Sequence, residues 1–519
     1  MSDVIDRRVT LGGETRLRGI IAGDRNRLEW AGMVATGLWA VPLVVGGAVS
    51  LARVLAAVAC LGVAFFAWTP FPGPLAGRSV AAAATWEVRH QLRRRGAGAV
   101  FIPAYAQDAN PGARAARFTR ARGAPAPAFE VPAPVGNVRA LSVRLASGEV
   151  LAVVRHSNPG RAHFFTACLE MQGATGGLER EHLFGRAHTD WGNFCAALAR
   201  EGSFIRTVQQ VSRVVPYDTA DHTMWIASRI PAATDPTLVA SYIALLDTAA
   251  VTTEQHRTWL VLRLPVTPAF SLSARRLGDG EDGELHLVAR EVTSAMARAG
   301  QYDMALRPLD TRRLAGVLRS LQDADHPIDK IAGLDFAHAW LPWDCRARGK
   351  VVVAGALGPW HTRTAVVPAH GLEAGRFSPD FLHPLLSNVS PSVVRTISTV
   401  IDLVPAHVAR AKAKRDVTLD AGSSREAATR VSDGSEDQQL TASQQRLTDL
   451  RAGTRNHGAG WSMTITFCAR TDDELDAATR QIEGAAEEAN ITGLRFLDGF
   501  HDAGLTASLP LARGLAVRR

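Results

Sequence analysis

Residues 461–497 read WSMTITFCARTDDELDAATRQIEGAAEEANITGLRFL, and two periodicities run through them. Trp461, Met463, Ile465, Phe467 and Ala469 alternate with Ser462, Thr464, Thr466 and Cys468, the period of two that a half-buried strand requires. Thr471, with Glu474 three residues on, spells a capping box. Leu475, Ala478, Ile482, Ala485 and Ala489 then share one helical face. A closing strand at 494–497 completes a βαβ-type unit, so the surrounding body is expected to be α+β.

Upstream, 138–145, 149–156 and 162–171 read as a three-stranded meander, punctuated by Ser147-Gly148 and Asn158-Pro159-Gly160. A helix at 189–201 places Trp191, Phe194, Cys195 and Leu198 at helical spacing. A β-rich run at 204–215 follows, then a helix at 237–248, a strand at 258–264, and helices near 285–299 and 310–322. The last third repeats this alternation. Residues 412–450 are polar, helical in tendency and broken at Asp433-Gly434-Ser435, which reads as an exposed excursion. APAPAFEVPAP, within 123–134, reads as an extended linker.

Nearer the start, 23 uncharged residues (30–52) and 24 more (54–77) are separated by Arg53. Each run is long enough for a helix to cross about 30 Å of hydrocarbon. Trp30 opens the first and Trp68 closes the second, so both indoles can occupy one interfacial belt. Arg78, Arg89, Arg93, Arg94 and Arg95 follow on that side, against Arg53 alone at the opposite turn. By the positive-inside rule both termini are cytoplasmic and the protein lies in the plasma membrane, its arginines facing anionic lipid headgroups. The expected organisation is a basic leader at 1–29, a two-helix transmembrane hairpin at 30–77, an arginine-rich juxtamembrane segment and linker at 78–134, and an α+β cytoplasmic region. That region comprises two ferredoxin-like or related subdomains, 135–330 and 331–519, the second carrying the excursion at 412–450.

Composition excludes a disordered or fibrous chain, since 46% of the 519 residues are hydrophobic and 21% charged. The net charge of +8 is concentrated at 78–122, which hold nine arginines against Glu87 and Asp108. Direct nucleic-acid binding therefore has no support from charge distribution. Five cysteines, odd in number and never spaced as CxxC, argue against a disulfide framework or a structural zinc site and suit a reducing compartment.

Motifs that carry chemistry are sparse. A P-loop needs GxxxxGK[ST], but Gly-Lys occurs only at Gly349-Lys350 and Val351 follows it. Gly278, Gly280 and Gly283 match GxGxxG, yet Asp279, Glu281 and Asp282 would repel a pyrophosphate, so an acidic turn is expected. Asp323, Asp325 and Asp329 begin like a calcium loop, but Ile328 and Leu334 replace its glycine and its glutamate. Neither HExxH nor GxSxG is present, and His182 and His188 fall on different helix faces. No catalytic residue, metal or cofactor is expected.

The order of basic leader, apolar hairpin, arginine-rich exit and α+β body resembles a conjugation-associated integral membrane family of actinobacteria. That family joins a PrgI-like membrane hairpin to a region similar to the N-terminal, non-ATPase part of the CagE/TrbE/VirB class of type IV secretion ATPases. The residues that carry the resemblance are Trp343, the strand at 351–356, the segment 362–368, Leu385-Leu386, Arg395 and Pro405, then 461–515. Gly504-Leu-Thr-Ala-Ser-Leu-Pro-Leu511 is similar to the end at which those ATPases pass into their motor. The resemblance implies a non-enzymatic scaffold of a DNA-transfer machine, an oligomer with other machine subunits, that recruits an ATPase supplied by another chain near Leu509, Pro510 and Leu511. A type VII secretion component of the EccE kind also fits this order, and a membrane-tethered enzyme is a third reading.

Overall fold

In the computed structural model a 14-stranded sheet organises the chain. The structure describes residues 50–514 except 69, 72–77, 96, 110–127, 130, 160, 173–180, 218–219, 232–233, 327, 329–332, 368–370, 373–374, 378–379, 428–434, 452–453 and 455, together with 9–11, 32, 34–36 and 38. The strands are β1 (Val100–Pro103), β2 (Ala128–Phe129), β3 (Val138–Arg144), β4 (Val150–His156), β5 (Phe164–Gln172), β6 (Thr207–Pro216), β7 (Glu254–Pro265), β8 (Ala305–Pro308), β9 (Trp343–Asp344), β10 (Val351–Gly355), β11 (Gly358–Val367), β12 (Val394–Val404), β13 (Gly458–Ala469) and β14 (Arg495–Phe496). They run in the order β2-β1-β9-β10-β11-β13-β12-β6-β7-β5-β4-β3, with β8 added to β5 and β14 to β11. Every pairing is antiparallel except β1 with β2.

Besides a short helix at Ala104–Ala109, the described α-helices are α1 (Leu51–Trp68), α2 (Val80–Arg95), α3 (Glu181–Leu198), α4 (Ala220–Ala227), α5 (Pro236–Thr252), α6 (Pro268–Arg275), α7 (Gly280–Gly300), α8 (Thr311–Ser320), α9 (His383–Ser387), α10 (Ala406–Ala427), α11 (Ser435–Asp449), α12 (Asp472–Glu488) and α13 (His501–Ser508). They reveal a duplication. From β5 the chain passes through α3, β6, the hairpin α4–α5, β7, helices α6 and α7, then β8, with sheet order β8-β5-β7-β6. From β11 it passes through a short strand outside this sheet (Gly375–Phe377), then α9, β12, the hairpin α10–α11, β13, α12 and β14, with sheet order β14-β11-β13-β12. Each unit is preceded by a strand on the same edge, β4 or β10, and followed by a helix, α8 or α13.

The units join through β6 and β12, paired antiparallel from Arg395↔Val214 to Asp402↔Thr207. A two-fold axis perpendicular to the sheet relates antiparallel neighbours without exchanging faces, so the units carry equivalent helices on the same side. On that side Phe194 and Leu198 of α3, with Leu287 and Val292 of α7, cover the first unit. Leu475, Ala478 and Ile482 of α12, with Leu385 of α9, cover the second. The other side is one core, in which Leu314 and Val317 of α8 and Leu505 of α13 meet Val211, Trp259, Val351 and Cys468.

One expectation is corrected here. The transmembrane hairpin does not hold: among the described residues no helix is long and apolar enough to cross a membrane. The second apolar run contains Pro70, Pro72 and Pro74, which a continuous helix does not tolerate. Its helix, α1, has 18 residues and ends at Trp68, about 27 Å at 1.5 Å per residue. Pro70–Phe71 then pairs back as a strand with Arg78–Ser79. Trp30 lies outside the described residues. The two expected subdomains, divided at 330, each hold one of the repeated units, and β6 pairs with β12 to join them in one sheet. The segment expected as linker also joins that sheet, through β1 and β2.

The capping box at Thr471 and Glu474 is formed, each side chain accepting from the other's backbone N–H. β13 differs from the half-buried strand expected, since it is buried on both faces from Met463 onward. Its polar face is covered by α13, where Thr464 and Thr466 meet the Ser508 hydroxyl.

Candidate functional site

Helix α2 carries most of the arginines assigned to lipid. Its inner face is fastened to the C-terminal region instead: the Trp86 indole donates to Asp498 O and packs 4.1 Å from the Phe500 ring. Arg93 pairs with the buried Asp502 carboxylate and lies 4.9 Å over Phe500. His90 abuts Gly499, where φ is +81° and a Cβ would come within 2.9 Å of the imidazole. Arg89, Arg94 and Arg95 remain exposed, and the backbone of Arg78 lies in the short strand facing Phe71.

Leu509, Pro510 and Leu511, expected to touch a partner, are buried. Gln209 of β6 holds them there. Its amide nitrogen donates to Leu509 O at 2.9 Å and Ala507 O at 3.1 Å, and its oxygen accepts from Ala512 N at 2.6 Å. The segment closes the core between the two units and presents no surface to another chain.

Beyond it, Arg513 Nη2 donates to His156 Nδ1 at 3.0 Å, so the imidazole is neutral and its Nε2–H faces Thr166 Oγ1 at 3.0 Å. Burial first, then the charges of Arg513 and Arg263, hold His156 well below the usual histidine range. Its folded pKa is depressed, so its contribution is full above the unfolded value near 6.5 and declines as pH falls below it, by at most about 1.4 kcal/mol per pH unit. Urea unfolding at pH 7.5 and 5.5 should therefore show a smaller acid loss in His156→Gln than in the parent, by about 1 kcal/mol. Equal losses would remove His156 from the account.

The motif residues have structural employment. Glu281 of the glycine string is bound by Arg139 at 3.1 Å and Arg155 at 2.9 Å. Asp323 accepts from Trp360 Nε1 at 3.1 Å and Ala356 N at 3.0 Å, while Asp325 pairs with Arg470. Asp329 and His182 have no described side chain. Lys350 meets Asp472 and His361, closing the start of α12 onto β11. Burial keeps Cys195 and Cys468 as thiols, pushed up to about 12 and about 11, and raises Cys168 and Cys345 as well.

The concave site lies at one end of the seam, a cleft of about 880 Å³. Arg206 and Arg263 come from the first unit, Asp402 and Trp461 from the second, and Val408, Lys412, Asp416 and Arg446 from α10 and α11. α10 and α11 fold over it because Ala409, Ala413 and Leu450 pack together and the Ser443 hydroxyl donates to buried Asp420 at 2.6 Å. Arg206 is spent on Arg200 O and Glu201 O, and Thr207 donates to Asp402. Apolar Leu403, Val404 and Trp461 thus share the lining with charges of both signs. A cofactor phosphate would want one sign; a protein segment with apolar anchors and mixed charge matches this lining. Sequence reasoning missed the cleft because its residues span 206–461 and no local motif joins them. A scan against family models finds no match to this chain, and a search of curated proteins finds none.

Proposed function

We propose that the protein is a non-enzymatic scaffold subunit of a conjugative, type IV secretion-like DNA-transfer machine, working at the cytoplasmic face of the plasma membrane and recruiting a separately encoded ATPase. The resemblance carried by Trp343, Arg395, Pro405 and 504–511 supports the machine. The seam cleft supports the mode of action. It offers apolar and mixed-charge lining in which Val408 and Lys412 are exposed, which suits a helical or extended segment of another chain. The ATPase therefore docks at the cleft and not at Leu509–Leu511. Exposed Arg89, Arg94 and Arg95 are available to anionic lipid.

The test is co-purification of the ATPase encoded beside this chain with the Val408→Asp/Lys412→Glu variant. Retention should fall at least tenfold, the size of one interfacial hot spot, with an unchanged melting curve. Undiminished retention would refute docking at the cleft. Recovery of small secreted WxG proteins in place of a transfer ATPase would favour the type VII reading.

A further inference from the structure

The duplication places two helical hairpins at equivalent positions, α10–α11 between β12 and β13 and α4–α5 between β6 and β7. They are built of opposite material. α10–α11 is polar and lines the seam cleft. α5 reads PTLVASYIALLDTAAVT, with Asp247 its single charge. A position that tolerates a polar hairpin in one unit does not demand an apolar one in the other, so the apolar surface of α4–α5 needs its own reason.

That surface is uncovered in the isolated chain. Leu238 is 65% exposed, Leu245 61%, Met224 58% and Trp225 51%, with Tyr242 and Ile243 also exposed. Between the helices runs a groove of about 280 Å³, lined by Ile226, Ile230, Leu238, Val239, Tyr242 and Leu246 among others. Knobs and groove belong to the same hairpin, the requirement for an isologous contact.

We propose that α4–α5 is a self-association element, whose occupant is the same hairpin of a second copy. A helix that exposes Leu238, Ile243 and Leu245 and bears no charge among its described side chains is one that other protein or hydrocarbon covers. A helix lying in a bilayer interface keeps a strongly polar face, and α5 has none among its described residues. Two hairpins packed face to face bury on the order of 1,200 Å², the lower bound of a specific interface. The hairpin leaves β6 at Pro216 and enters β7 at Glu254, the strand ends opposite Thr207 and Arg263 at the cleft, so a dimer presents two clefts to its partners.

The full-length chain should sediment as a dimer at micromolar concentration, and differently tagged copies should co-purify. Leu238→Glu/Leu245→Glu alters two exposed side chains, so its circular dichroism and melting should match the parent. Its self-association should weaken at least a hundredfold. The cleft variant Val408→Asp/Lys412→Glu should remain dimeric, which keeps this test separate from that of ATPase docking. A monomeric parent, or a variant whose mass is unchanged, would overturn the proposal. So would a monomeric parent whose binding to anionic vesicles, or to the ATPase, disappears with Leu238→Glu/Leu245→Glu, since lipid or the ATPase would then be the occupant.

Discussion

Arg395→Met should lower stability by about 3–5 kcal/mol, the loss expected when one partner of a buried ion pair is removed. Arg395 is fully buried on β12, and four of its five N–H groups find acceptors. Nε donates to Leu385 O at 2.9 Å, Nη1 to Val393 O at 3.1 Å, and Nη2 to Leu386 O at 2.5 Å and to Glu254 Oε1 at 2.7 Å. Glu254 opens β7 of the first unit; the carbonyls belong to the second. One cation therefore spans the seam at the end opposite the cleft. Burial pulls its pKa down, and the hydrogen bond and charge of Glu254 oppose that pull. Methionine fills the volume but leaves a carboxylate and three carbonyls without their donor. Urea unfolding would measure the loss, and the double variant Arg395→Met/Glu254→Gln should lose clearly less than the two single losses added together. Additive losses, or a loss below about 1 kcal/mol, would show that the pair does not fasten the seam.

Local order was legible where chemistry is local. Thr471 and Glu474 announce the start of α12 because a capping box needs only four residues, and the meander β3-β4-β5 follows from turn residues at Gly148 and Asn158-Pro159. The seam was not legible, because Arg395 and Val214 lie far apart in the chain and pairing across it leaves no periodic trace in either strand. Polar residues on the seam also mislead. Gln209, Arg213 and Thr396 are polar, yet each is buried, with Arg213 donating to Thr396 at 2.8 Å. A polar side chain that finds a partner in the interior carries the same letter as one facing water.

The candidate site failed in the sequence for two physical reasons. A partner contact at Leu509–Leu511 is an expectation from the resemblance alone, whereas an apolar triplet next to an α-helix is more simply core, and Gln209 fixes it there. The arginines of α2 were counted as one patch, although a helix distributes 89, 93, 94 and 95 around its axis. Arg93 turns inward to Asp502 and its neighbours stay outside.

Gly283→Ala and Gly192→Ala should move stability in opposite directions, although both glycines lie within α-helices. Alanine in a helix interior ordinarily gains up to about 1 kcal/mol over glycine. At Gly192 in α3 a Cβ meets nothing within 4 Å, so that gain should appear. At Gly283 in α7 a Cβ would stand 2.1 Å from Gly278 O and 2.6 Å from Ala274 O. Both obstacles are backbone, and Ala274 O is itself held by Leu277 N at 2.8 Å and Gly278 N at 3.2 Å, so neither can rotate aside as a side chain would. Relief requires α6 and α7 to separate, which disturbs Phe270, Ala274 and Leu287 in the core of the first unit. The cost should reach about 3 kcal/mol, the upper end for overpacking. The third glycine of the GxGxxG string is thus needed for the approach of two helices. If Gly283→Ala melted at the parent's temperature, that close approach would be wrong and the string would need another explanation.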